Sequence, residues 1–128
     1  MRYLRVVPFF VVLVVLLMAG LRPDPVPQAF DQQDKLHHLL GFAAFAFSLR
    51  LAFPRWGFVW MMGFAMAVAL LIELGQGLLP QRTASGWDML ANMLGVLVGW
   101  LCWVVVQRIA AQRGSFRPSG RALIDADS

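Results

Sequence analysis

The chain has 128 residues, of which 59% are hydrophobic and 14% charged, a balance that leaves too little polar surface to coat a soluble domain. At roughly 20 apolar residues per spanning helix, this length accommodates about four spans and excludes a second folded domain. The formal net charge of +4 does not mark a nucleic-acid partner, because the basic residues border apolar runs instead of forming a patch with interleaved aromatics.

The sequence therefore predicts an all-α, polytopic membrane protein, a compact bundle of four transmembrane helices at about 5–21, 36–53, 58–79 and 87–106. The first run follows Arg2 and Arg5 and has the basic start and apolar middle of a secretory signal. Its end, Met18-Ala19-Gly20-Leu21, is a poor cleavage site, so it reads as an uncleaved first span. Arg22 to Pro27 alternates proline with other residues, which removes backbone donors and favours an extended loop. The second run is rich in Phe, Ala and Leu and stops at Pro54, with Arg50 placed to reach the interface from its last turn. The third is broken only by Glu73 and Gln76 and stops at Pro80. The fourth begins near Trp87, and residues 1–107 make one membrane domain. After it, 108–128 reads as a disordered polar tail with Gly, Pro, Ser and mixed charge. Cys102, the only cysteine, permits no internal disulfide and reads as a small buried hydrophobe.

Counting Lys and Arg sets an orientation. The N-terminus, the second loop with its flank and the tail carry eight, against three on the other side, namely Arg22, Lys35 and Arg82. Both termini are expected in the cytoplasm of a bacterial inner-membrane protein. The loops at 22–35 and 80–87 then face outwards, and every ionisable residue within the spans lies towards that side.

Those polar residues form a pattern. Asp34 and His38 are spaced i, i+4 and share one face of the second helix, which turns the adjacent His37 elsewhere. Glu73 lies about six residues, on the order of 9 Å, inside the third span. An acidic residue there costs about 2.5–3.5 kcal/mol on insertion scales, so it must be neutralised, paired or set in a wet cavity. Gln76 shares its face, and an interhelical hydrogen bond is the bland account of both. On the fourth helix Asp88, Asn92, Gly95 and Gly99 make one stripe that changes from polar to small. Its glycines form a packing surface for another helix, while Asp88 has an alternative account as a residue favoured by the helix dipole. Between the third and fourth helices, Arg82 and Ser85 stand beside a helix N-terminus, a ready site for an anion. Pairing of Arg82 with Glu73 or Asp88 is the competing account.

The combination Asp34-Lys35-x-x-His38, Glu73-x-x-Gln76-x-x-x-Pro80-x-Arg82-x-x-Ser85-x-x-Asp88-x-x-x-Asn92-x-x-Gly95 resembles the VanZ-like family of bacterial membrane proteins. The resemblance covers about residues 34–99, with Leu39 standing where an aromatic often follows the motif histidine. It implies a small multi-pass protein of the cell envelope, related to one associated with resistance to the glycopeptide teicoplanin.

Three functions compete. In the first, Lys35 and Arg82 hold an anionic lipid or a lipid-linked cell-wall precursor, with Asp34, Gln76, Ser85 and Asn92 in the ligand site and His38, Glu73 and Asp88 as candidate catalytic proton-transfer groups. In the second, the polar cluster only specifies packing in a non-enzymatic envelope or assembly factor. The third is a lipid or solute translocator, which needs polar residues through the full depth of the bilayer. The apolar stretches 59–71 and 96–106 argue against that unless an oligomer supplies a path. No nucleophile elbow surrounds Ser85, and the spacing of His38, Glu73 and Asp88 matches no metal-ligand motif, so no metal is expected. The sequence leaves open whether the protein is an enzyme and whether it uses a cofactor.

Overall fold

A computed structural model describes residues 3–24, 27–80 and 82–115. After a short 3-10 turn at Tyr3–Arg5, four helices follow in chain order: α1 (Val7–Gly20), α2 (Gln33–Ala52), α3 (Phe58–Gly77) and α4 (Gly86–Ser115). No strand occurs among the described residues. The all-α expectation holds, and the segments Tyr3–Gly20, Phe58–Gly77 and Gly86–Gly114 are each long and apolar enough to cross a membrane. The chain is a helical membrane protein.

Helix α2 is the exception in composition, since it carries Asp34, Lys35, two histidines and Arg50. Its place in the bundle explains this. It packs along α4 over most of its length and also against α1 and α3, so its polar groups other than the exposed His37 meet protein where an outer helix would meet lipid. Buried Phe42, Phe45, Ala46 and Leu49 of α2 face Met61, Ala65, Ala69 and Ile72 of α3 and Val96 of α4. Gly95 and Gly99 let α2 and α4 approach backbone to backbone. A Cβ on Gly95 would overlap the Leu39 carbonyl oxygen, and one on Gly99 the Ala43 carbonyl oxygen. The small-residue stripe is thus a packing surface, and its partner is α2.

One end of the bundle is aromatic. Phe9, the one buried residue of α1, stacks near Phe45 and Phe53, each with its ring centre 5.7 Å away. Trp56 lies 4.9 Å from Phe53 and 5.8 Å from Phe64. Arg50 ends here too: its guanidinium donates to the Trp56 carbonyl and lies over the Trp103 ring. These contacts fix its head group at the α2–α3 turn.

Two expectations need correction. Helix α4 was expected to stop near residue 106, yet it continues to Ser115. The segment Gln107 to Gln112 contains good helix formers and no proline or glycine, so nothing ends the helix where the apolar run ends. The expected disordered tail is therefore helical over 108–115, and 116–128 lie outside the described residues. Cys102, expected to be buried, is exposed on the bundle surface, where an apolar side chain faces lipid as readily as core.

Candidate functional site

The opposite end of the bundle gathers the polar residues, and His38 stands at their centre. Its place follows from helical spacing: as α2 descends, His38 turns inward and neighbouring His37 stays exposed. His38 Nδ1 donates to Asn92 Oδ1 at 2.9 Å and lies 3.9 Å from Glu73 Oε1. Its Nε2 lies 3.9 Å from Asp88 Oδ2. Side chains from α2, α3 and α4 thus meet around one imidazole. They are well enclosed: Glu73 is 5% exposed, Asp88 6% and Asn92 0%. Asp34 adds a third carboxylate, close enough for its charge to act on both Glu73 and Asp88.

Glu73 is tied down on one side only. Its Oε2 accepts a hydrogen bond of 3.2 Å from the Ser85 backbone N–H, while Oε1 is buried with no hydrogen-bond partner. The Ser85 carbonyl accepts from the Asp88 and Met89 amides, so Ser85 is the residue from which α4 starts. The anion expected at this helix N-terminus is therefore, in part, the protein's own Glu73 carboxylate. Asn92 Nδ2 is likewise buried without a partner.

The remaining predicted residues divide. Gln76, 2% exposed, donates from Nε2 to the Gly20 carbonyl at 2.8 Å and fastens the end of α1 to α3, a structural task. Arg82 forms no ion pair with Glu73 or Asp88 among the described residues. Its Nε reaches the Arg22 carbonyl at 3.4 Å, which joins the two loops at this end, while its charge acts on Asp88 from beyond ion-pair distance. Lys35 is half-buried, and its charge reaches Asp88.

Beside the cluster runs a cavity of about 480 Å³. Val11, Val15 and Ala19 of α1 and Leu40 and Ala44 of α2 form much of its apolar wall; Gln28, Asp34, His37, His38, Gln76 and Arg82 form its polar end. Val11, Val15 and Leu40 are each more than half exposed, so the cavity is a groove open along the α1–α2 seam. Lys35, Glu73 and Asp88 do not line it, and only His38 and Asp34 belong to both groove and cluster. Sequence reasoning passed over Gln28 and His37. The signal for His37 lay in its exposed register beside His38, which reads as an ordinary interfacial position.

A sequence profile described as VanZ/LLP1 matches residues 4–107 of the chain. No curated protein and no solved structure matches it.

Proposed function

This chain belongs to the VanZ/LLP1 family, and from that membership we propose that it is a cell-envelope membrane protein that holds an anionic amphiphile, of the phospholipid or lipid-linked cell-wall class, in the α1–α2 groove. The observation that carries this reading is the groove's division into an apolar wall and a polar end. An acyl or prenyl chain lies against Val11, Val15, Ala19, Leu40 and Ala44, and an anionic head group meets Arg82, with His37 and Gln28 as further donors. The volume is within the range of small-molecule sites, and the Arg82 guanidinium, which acts on Asp88 only at a distance, has no contact ion pair among the described residues and keeps its donors for an anion. Membership of this family fits a teicoplanin-resistance-like role, in which occupancy of an envelope lipid changes what the antibiotic meets. The cluster around His38 adjoins the head-group end and is placed to exchange a proton with a bound ligand through Asp34 or His38. The packing-only reading retains support from Gln76–Gly20 and Glu73–Ser85, which are structural bonds. It leaves the groove, with Arg82 at its polar end, without an account. Translocation is disfavoured because the other end of the bundle is filled by aromatic rings.

Two variants test the two halves of the groove. Arg82→Ala removes the head-group charge, and Ala44→Trp fills the apolar wall at an exposed position where extra bulk does not strain the core. Each is expected to lower retention of anionic phospholipid about tenfold in native mass spectrometry of the purified protein, Arg82→Ala by the loss of one charge-assisted contact and Ala44→Trp by taking the space of the apolar chain. Retention unchanged in both variants refutes the groove reading.

The excess of Lys and Arg towards the termini supports cytoplasmic termini in the bacterial inner membrane, with the polar end facing outwards. In a Cys102→Ser background, a cysteine at Gln28 is expected to react with an impermeant maleimide added to intact cells and one at Arg113 is not. The reverse pattern overturns the orientation.

A further inference from the structure

Three ligand atoms, one each from Asp34, His38 and Asp88, lie within 4.8 Å of one another. Asp34 and His38 come from the first two turns of α2 and Asp88 from the first turn of α4; the i, i+4 spacing pairs the first two, and only the packing of α2 on α4 adds the third. We propose that Asp34, His38 and Asp88 form a binding site for a divalent first-row metal ion of the zinc or manganese type.

Orientation of the imidazole is the first support. Nδ1 lies 2.9 Å from Asn92 Oδ1, an oxygen that can only accept, so the neutral imidazole carries its proton on Nδ1 and its lone pair on Nε2, the nitrogen that faces Asp88. Metal-bound histidines are commonly held in this way, with the second nitrogen fixed by a carbonyl or carboxylate outside the ligand set. Distance is the second. Nε2 and Asp88 Oδ2 stand 3.9 Å apart, too far for a hydrogen bond. Two atoms each about 2.1 Å from a shared ion stand roughly 3–4 Å from one another, so the gap suits a cation between them.

Charge is the third and independent support. Glu73, its side chain 6% exposed, faces His38 from the other side, and its Oε1 is buried with no hydrogen-bond partner. Three carboxylates therefore surround one imidazole; the charges of Lys35 and Arg82 reach Asp88 from a distance, but neither forms a contact ion pair with any of the three among the described residues. A cluster of this kind is unfavourable in a low-dielectric setting until a cation enters it. A mixed carboxylate and imidazole donor set suits manganese or zinc, with no thiolate to bias it towards softer ions. Three protein ligands leave a coordination position, and because Asp34 and His38 also line the groove, that position adjoins its polar end. The metal site does not depend on what occupies the groove.

The test uses the full chain, stripped with EDTA in detergent and titrated with zinc by calorimetry and with cobalt by visible absorption. The expected result is one equivalent bound, with affinity lowered at least about tenfold in Asp34→Asn and in Asp88→Asn and unchanged in Asp31→Asn, an exposed carboxylate outside groove and cluster. Asp34 is half-buried with no hydrogen bond of its own among the described residues, so Asp34→Asn folds and keeps the test decisive even where Asp88→Asn does not. No binding by folded wild-type protein overturns the proposal. So does binding that survives both Asp34→Asn and Asp88→Asn, or that is lost only in Asp31→Asn. Lipid retention measured in EDTA reports on the groove separately, so either reading can fail without the other.

Discussion

Gly99→Leu is expected to separate α2 from α4 and to cost about 3 kcal/mol of stability, the upper part of the usual range for overpacking. Even a Cβ at this position would overlap the Ala43 carbonyl oxygen and come within 2.9 Å of the Ala46 Cβ. These obstacles are backbone and a methyl group, neither of which can rotate away. Relief requires the helices to move apart along their shared length, and the close packing that takes the place of a hydrophobic driving force in lipid is then lost. Gly95→Leu acts in the same way against Leu39, nearer the polar end, and has the added effect of displacing Asn92 from His38. Gly63→Ala is the control, since a Cβ there meets nothing within 4 Å and alanine is the better helix former. Steric-trap or thermal unfolding in detergent measures the difference. Equal stability of Gly99→Leu and wild type would show that α2 and α4 are not held by this surface.

His38→Ala is expected to cost about 3 kcal/mol in metal-free protein, the magnitude of removing one partner from a buried charged group. Three losses combine: Asn92 Oδ1 loses its donor, the ring's packing volume is emptied, and Glu73 and Asp88 are left facing one another with nothing basic between them. The last loss can be isolated. Adding Glu73→Gln removes one carboxylate charge and retains an oxygen able to accept the Ser85 N–H bond, so the double variant should recover on the order of 1 kcal/mol. Alone, Glu73→Gln should leave the metal-free protein at least as stable as wild type. A cluster selected only for packing predicts the opposite, since each neutralisation would then weaken it. A loss of 2 kcal/mol or more in Glu73→Gln alone would favour the packing reading, and additive losses in the double variant would show that His38 and Glu73 are not coupled.

Much of this architecture was legible without coordinates. Long apolar runs ended by Pro54 and Pro80 fix helices because a spanning segment must satisfy its own backbone hydrogen bonds. The i, i+4 relation of Asp34 and His38, and the stripe from Asp88 to Gly99, follow from helical periodicity alone. The end of α4 was not legible, because the sequence signal marked where apolarity stops, and a helix of Ala, Gln and Arg continues past that point. Nor was the role of Ser85: its hydroxyl attracted the chemical argument, whereas its backbone N–H makes the contact with Glu73.

What the amino-acid sequence determined is thus a set of helices, the stripe each presents, and the clustering of polar residues towards one end, all consequences of local periodicity and of the cost of placing charge in lipid. Which residues meet was decided by tertiary structure. Close approach of α2 and α4 at Gly95 and Gly99 brings Asp88 and Asn92 against His38, the α3–α4 turn carries Glu73 to the same imidazole, and α1 stands far enough from α2 to leave a groove. Those distances depend on how three helices settle against a fourth, and no spacing along the chain encodes them.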